Sequence, residues 1–84
     1  MSMDINDLTP DWLADQRGVL NFSGAMLEKL HDKRNEGRGG WHDQYECTMK
    51  DLKQMLKEHI KKGDMVDIAN FAMMIWNREQ MDKP

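Results

Sequence analysis

Apolar residues recur at helical spacing in three stretches of the chain, and this periodicity predicts an all-α fold. The first stretch starts at Thr9-Pro10, a favourable N-cap and first helical position, and extends to Leu30 before a charged tail. Gly18 lies inside it and could end or kink the helix. We therefore expect a bundle of three to four helices in a single domain over residues 9–84, preceded by a disordered N-terminus over residues 1–8.

A glycine-rich segment separates the first stretch from the second. Gly37, Gly39 and Gly40 fall close together, which excludes a helix there and predicts a loop that ends near Cys47. This is the longest irregular segment expected in the ordered chain, and long loops often carry function.

The second and third stretches predict an antiparallel helical hairpin over roughly residues 48–81. Thr48 and Asp51 have the spacing of a capping box at the start of the hairpin. At the turn, Gly63 suits the left-handed position after a helix, and Asp64 suits the N-cap of the next one. Because this leaves almost no loop, the two helices should lie side by side.

The last helix is apolar around its whole circumference. Between Met65 and Trp76 every residue is apolar except Asp67 and Asn70. Such a helix must be buried on all sides, and the rest of so short a chain can hardly cover it. We therefore expect the protein to form a homodimer or higher oligomer through this helix.

The polar residues near the turn allow two interpretations. Asp67 and Asn70 share one helix face, with Asp64 one turn earlier, and His59 should lie near Asp67 across the hairpin. In a structural interpretation, which the spacing alone favours, Asp67 pairs with His59 or a lysine and Asn70 satisfies a backbone group. In a functional interpretation, the carboxylates of Glu58, Asp64 and Asp67 hold Mg²⁺. Asn70 then contacts a ligand.

Composition and charge exclude several classes of protein. The 84 residues include 12 basic and 15 acidic side chains without a basic stripe, so we expect no binding to duplex nucleic acid. Cys47 is the only cysteine, and no Cys/His spacing suggests zinc. The N-terminus lacks the basic and apolar regions of a signal peptide, and the longest apolar stretch is too short for a bilayer. We therefore expect a cytoplasmic protein without a membrane partner.

The segment Asp64–Met74 resembles the acid-x-x-Asp-x-x-Asn-Phe-x-Met-Met motif of MazG-like nucleotide pyrophosphohydrolases. Met26–Leu30 and Gly39-Gly40-Trp41 also resemble short, phage-encoded members of that family. The resemblance implies an all-α, oligomeric protein that cleaves nucleoside triphosphates to monophosphate and pyrophosphate with Mg²⁺. The family's Glu-Glu-x-x-Glu motif on the preceding helix is reduced here to Glu58, within Leu56–Lys62, which implies weakened or lost catalysis.

The resemblance and the loop together give a set of candidate site residues. In the nucleotide interpretation Trp41 stacks on the base, while the cationic side chains and glycine amides of the loop hold the phosphates. In the alternative, which the sequence favours, packing of Trp41 merely pins the loop to the helices. We assign no catalytic residue. The metal ligands expected are Glu58, Asp64 and Asp67, and the expected ligand-binding residues are Asn70, Trp41, Arg38, Arg34, Lys57 and His59.

Two functions remain open from the sequence. The first is a MazG-like nucleotide-binding protein, whose Mg²⁺-dependent pyrophosphohydrolase activity is weakened or lost. The second is a non-enzymatic, phage-type regulatory protein that binds a partner protein or sequesters a nucleotide through the helical bundle. The scarcity of acids near the end of the second predicted helix, where Glu58 stands alone, favours a protein without catalysis.

Overall fold

The computed structural model describes residues 9–82, which form three α-helices. They are α1 (Pro10–Asn35), α2 (Met49–Lys62) and α3 (Met65–Met81). This part of the chain contains helices, turns and loops but no strand, so the prediction of an all-α fold is confirmed, with three helices. The N-terminal segment expected to be disordered, residues 1–8, lies outside the described residues, as do residues 83–84.

The first helix, α1, is continuous over 26 residues and runs through Gly18, where a break or kink was an expectation of the sequence. Its N-cap is Thr9, whose Oγ1 accepts a hydrogen bond from the Trp12 amide at 3.1 Å, and Pro10 follows as predicted. A glycine inside a helix costs about 1 kcal/mol relative to alanine, so Gly18 weakens α1 without ending it. Just beyond the end of α1, Gly37 adopts a φ of +81°, a conformation that favours glycine.

The predicted hairpin of α2 and α3 has the predicted caps. The Oγ1 of Thr48 accepts from the Asp51 amide at 3.1 Å, and the Asp51 carboxylate accepts from the Thr48 amide at 3.2 Å, which completes the capping box. Gly63 ends α2 with a φ of +79°. The Oδ1 of Asp64 then accepts from the amides of Val66 and Asp67 at 3.0 and 3.1 Å and starts α3.

The loop between α1 and α2 is a succession of turns that passes close to itself at Gly40. This glycine has a φ of +84°, and a Cβ atom at its position would collide with the side chain of Glu46. Both its backbone conformation and its surroundings therefore require glycine.

The core is small and lies where α3 packs against both α1 and α2. Its buried apolar side chains are Leu52, Met74 and Ile75. Partly buried hydrophobic residues from the three helices and the loop surround them, namely Leu30, Trp41, Cys47, Met49, Met55, Leu56, Phe71 and Met73. None of the three helices has the length and hydrophobicity to cross a membrane.

The chain itself covers α3 on one side. Asn70, Met74 and Arg78 on its inner face are buried, whereas Met65 and Trp76 on its outer face are 63% and 62% exposed. Burial of the last helix on all sides, as the sequence predicts, would need a surface outside this chain. Self-association through α3 therefore stays a prediction.

Candidate functional site

A pocket of about 200 Å³ lies between the C-terminal part of α1, the loop, α2 and α3. Its apolar lining includes Leu52, Met55, Phe71 and Met74, together with the ring of Trp41. Its charged and polar lining residues are Lys33, Arg34, Arg38, His59, Asp67 and Asn70. The fold thus brings together, from four segments of the chain, most of the side chains that the sequence predicts for ligand binding.

Asn70 is the buried polar residue of the pocket, with 4% of its surface exposed. Its Nδ2 donates a hydrogen bond to the Met26 carbonyl oxygen at 3.3 Å. Because that carbonyl can only accept, the amide nitrogen must face it, and the Oδ1 atom points elsewhere. This Oδ1 is buried and has no hydrogen-bond partner in the described part of the chain. A buried acceptor left in this state costs about 1–3 kcal/mol, which a donor on a bound ligand would recover.

Cationic side chains gather where the end of α1 meets the loop. Arg34 donates through Nη1 to the carbonyl oxygen of Arg38 at 2.6 Å, and its guanidinium packs over Gly39, where an added Cβ would lie 3.4 Å from Nη1. This contact fixes one end of the guanidinium and leaves further N–H donors on a group that always carries charge. Lys33 and Arg38 add two more cations to the pocket lining.

Arg78 anchors the loop that carries Trp41. Arg78 is not among the site residues that the sequence predicts. It is 2% exposed and donates through Nη1 to the carbonyl oxygens of Trp41 and Cys47 at 2.8 and 2.7 Å. A signal was present in the sequence, because Arg78 continues the inner face of α3 that Asn70 and Met74 occupy at helical spacing. Trp41 is half-buried in this position, as the packing interpretation of the loop expects.

His59 closes the α2 side of the pocket. Its Nδ1 lies 2.8 Å from the Met55 carbonyl oxygen, so Nδ1 carries the proton and Nε2 is the acceptor of the neutral ring. Its ring packs against Phe71 with the centroids 4.7 Å apart. His59 and Asp67 line the same pocket, which agrees with their predicted proximity across the hairpin.

The carboxylates of Asp64 and Asp67 are both bound by Lys29 of α1. The Nζ of Lys29 lies 2.7 Å from Asp64 Oδ2 and 3.0 Å from Asp67 Oδ2. The Lys29 ammonium, with help from the Asp67 amide, lowers the pKa of the Asp64 carboxyl. The same hydrogen bonds, to Asp64 first and then to Asp67, raise the pKa of Lys29. The lysine partner that the structural interpretation allows for Asp67 thus comes from α1.

The residues present fit a bound Mg²⁺ poorly. Glu58 accepts a hydrogen bond from Gln54 at 3.3 Å on the exposed side of α2, and the fold does not group it with Asp64 and Asp67. Among residues 9–82, no three His, Cys, Asp or Glu side chains are placed to hold a metal ion. Lys57 is exposed and is not part of the pocket lining. The predicted trio of carboxylates is therefore not assembled in the described chain.

The half-buried thiol of Cys47 also lines the pocket. Burial raises the pKa of this thiol, which keeps it protonated and a weak nucleophile at neutral pH. The pocket lining therefore combines cations, an aromatic residue and the amide of Asn70 with a protonated thiol.

Comparisons of this chain with protein-family models, with curated proteins and with solved structures found no match. The resemblance to MazG-like pyrophosphohydrolases stays a prediction. Four residues of the motif behind it line the pocket, namely Asp67, Asn70, Phe71 and Met74. The case for a function therefore rests on the geometry of the pocket.

Proposed function

We propose that the protein binds a nucleotide in this pocket and does not hydrolyse it. One observation carries the proposal: Asn70, whose buried Oδ1 has no hydrogen-bond partner among residues 9–82, lines one small pocket together with an aromatic residue and several cations. A nucleotide has a flat base, N–H and O–H donors, and anionic phosphates, which match these three elements. The pocket, at about 200 Å³, has room for one part of such a ligand, and the phosphates extend toward its cationic edge.

The base and sugar are the parts that the inner pocket suits. Trp41 offers a ring face for stacking, which is worth about 1–3 kcal/mol per base. The Oδ1 of Asn70 accepts a hydrogen bond, so the matching ligand group is a base amino group or a sugar hydroxyl. His59 also lines the pocket, and because its Nδ1 is engaged by the Met55 carbonyl oxygen, Nε2 is the ring nitrogen left for a ligand.

The phosphates belong at the junction of α1 and the loop. Lys33, Arg34 and Arg38 lie there, and a guanidinium binds phosphate oxygens through paired N–H donors. Arg34 is already held by the Arg38 carbonyl, so it loses little freedom on binding.

Lys29 supports binding without a metal ion. Its ammonium pairs with both Asp64 and Asp67 and offsets one of the two negative charges that would otherwise repel phosphate or recruit Mg²⁺. Activation of a water molecule by a metal is then missing from the proposed mechanism. Mg²⁺-dependent pyrophosphohydrolysis, which the family resemblance implies, is the competing function.

Isothermal titration calorimetry with a panel of nucleoside triphosphates and monophosphates tests the proposal. We expect Arg34→Gln to weaken binding about ten- to hundredfold, because one charged hydrogen bond contributes about 1.5–3 kcal/mol. Lys57→Gln is the matched control, since Lys57 is exposed and lies outside the pocket lining. Equal affinity in both variants, or no binding of any nucleotide by the unmodified protein, would contradict the proposal.

Pyrophosphate release with Mg²⁺ present distinguishes the competing function. We expect no release above background. Release that disappears in Asp67→Ala would establish the enzyme instead. Binding of a partner protein, the other function open from the sequence, would leave both assays negative.

The homo-oligomer that the sequence predicts through the last helix is the competing arrangement to the dimer proposed below, and the two predict opposite results for Trp76→Glu. The exposed Met65 and Trp76 support an interface on the outer face of α3, because large apolar side chains so exposed gain by association. Its test is the effect of Trp76→Glu on the sedimentation of the protein, described below together with a second surface.

A further inference from the structure

The first helix carries a row of apolar side chains that residues 9–82 leave largely exposed. Leu13, Leu20 and Leu27 follow one another at seven-residue intervals, so they lie on one face of the helix. Their exposures are 39% for Leu13, 69% for Leu20 and 67% for Leu27. We call these three residues the α1 row.

The α1 row is distinct from the face of α1 that packs inside the molecule. Met26 and Lys29 join α1 to α3 through a hydrogen bond and ion pairs, and Leu30 packs against the core. Leu27 directly follows Met26, so its side chain points about 100° further round the helix. It is therefore exposed even at the level where α1 is packed, which shows that the row faces away from the chain's own core.

We propose that the α1 row is the docking surface for a second copy of this chain, with the two α1 helices antiparallel. Apolar residues repeating every seven positions are the pattern by which two helices pair along their length. The row is also symmetric about Leu20. A two-fold axis at Leu20 places Leu13 opposite the partner's Leu27, so the same patch of both copies meets itself.

The size of the surface fits a dimer rather than a scattered set of surface residues. The three side chains expose on the order of 300 Å² of apolar surface, comparable with the largest patches on ordinary monomers. A 26-residue helix is about 39 Å long, and pairing along it also covers the polar residues that flank the row. A standard interface covers roughly 800 Å² per partner, so the row supplies its apolar centre and the flanking residues supply the remainder.

The small core gives the protein a reason to associate. Leu52, Met74 and Ile75 are the buried apolar side chains of the described chain, and a domain of this size buries too little surface to be comfortably stable alone. A second copy would add a second apolar interface to each chain without any change in its fold.

Sedimentation of the full chain at micromolar concentration tests the location of the interface. We expect a dimer, and we expect Leu20→Glu to raise its dissociation constant at least a hundredfold. Leu20 is 69% exposed, so the variant keeps the fold of the monomer, which its circular dichroism spectrum checks. Trp76→Glu, on the outer face of α3, is the matched control and should remain a dimer.

The oligomeric states of the unmodified protein and the two variants distinguish the possible interfaces. A monomeric unmodified protein, or a Leu20→Glu variant that dimerises as before, overturns the proposal. Loss of the dimer in Trp76→Glu alone assigns the interface to α3 and also overturns it. Loss in both variants still supports the α1 row, with α3 as an additional contact.

Disulfide trapping tests the antiparallel arrangement. In a Cys47→Ser background, Leu20→Cys should cross-link two chains on oxidation, because position 20 lies on the two-fold axis. Leu13→Cys should not, because it faces position 27 of the partner. Cross-linking at both positions indicates parallel helices, and cross-linking at neither removes the α1 pairing.

Discussion

The pocket and the α1 row are two surfaces of one small chain that differ in what they leave unsatisfied. In the described part of the chain, the pocket leaves a polar atom without a hydrogen bond, and the row leaves apolar side chains in contact with water. The pocket is concave and is lined by Asn70, whose buried Oδ1 has no donor among residues 9–82. The row is convex, and Leu20 and Leu27 on it are more than half exposed in this part of the chain. An unpaired polar atom is satisfied by a ligand that can hydrogen-bond, whereas an uncovered aliphatic row is satisfied by another apolar surface.

The comparison also separates what holds each surface in place. The pocket depends on contacts between residues far apart in the chain, such as Arg78 with the loop. The row depends on a single helix and needs no long-range contact to exist. A change that loosens the loop should therefore destroy the first surface and leave the second intact.

Arg78→Met should give the largest effect. The change removes two charge-assisted hydrogen bonds, to the carbonyl oxygens of Trp41 and Cys47, so we expect the free energy of unfolding to fall by about 2–4 kcal/mol. Nucleotide binding should be lost as Trp41 moves, while dimerisation through the α1 row persists. Urea denaturation and sedimentation measure the two effects. Arg78→Lys serves as the control for charge, and unchanged stability in Arg78→Met would contradict the assigned role.

Asn70→Leu should separate stability from binding. Replacing the side chain by an apolar one of similar size removes an unsatisfied acceptor, which gains about 1–3 kcal/mol, and the hydrogen bond to the Met26 carbonyl, which costs about 0.5–1.5 kcal/mol. We therefore expect stability to rise by about 1 kcal/mol. Nucleotide affinity should fall about tenfold with the loss of one hydrogen bond. Thermal unfolding and calorimetric titration on the same samples measure both. A loss of stability with unchanged affinity would mean that Asn70 has a purely structural role.

The pH dependence of stability should show the smallest effect, because the Lys29–Asp64 pair is partly exposed to solvent. The lowered pKa of Asp64 means that the folded state binds fewer protons than the unfolded state as the carboxyl titrates. The Asp64 carboxylate therefore stabilises the fold at pH values above the usual carboxyl pKa of about 3.9. This stabilisation is lost as the pH falls through the lowered pKa of Asp64.

Lys29→Met removes the cause of this lowering. The stability of the variant should fall below that of the unmodified protein near neutral pH, and the gap should narrow below about pH 4. Lys57→Met is the control, since Lys57 is exposed on α2 and the ion pairs of Asp64 and Asp67 are with Lys29. Thermal melts across the pH range make the measurement, and a gap that stays constant to low pH would rule out the ion pair as its source.

Local sequence signals predicted where the helices begin and end. They could not predict contacts between residues far apart in the chain. Thr9, Thr48, Gly63 and Asp64 act on amides or dihedral angles a few residues away, so their types and spacing were sufficient. Gly18 shows the limit of such signals, because a cost of about 1 kcal/mol does not end a helix that is otherwise favourable.

The sequence identified several residues of the candidate site but not the residues that they contact. Asp67 and Asn70 stood out because they interrupt an apolar helix, and both line the pocket. Their partners, Lys29 and the Met26 carbonyl, lie on α1, far away in sequence, so spacing along the hairpin could not identify them. Glu58 lies close to the turn in sequence, but its side chain pairs with Gln54 and is not grouped with Asp64 and Asp67 in a metal site.

Titration of a nucleoside triphosphate into the unmodified protein in the presence of EDTA tests the central claim most directly. The account predicts binding of one nucleotide per chain without a divalent cation, with an affinity that added Mg²⁺ leaves unchanged. In this account the Lys29 ammonium, paired with Asp64 and Asp67, takes the place of a metal cation beside these carboxylates. Binding that requires Mg²⁺, or no binding under either condition, would contradict it.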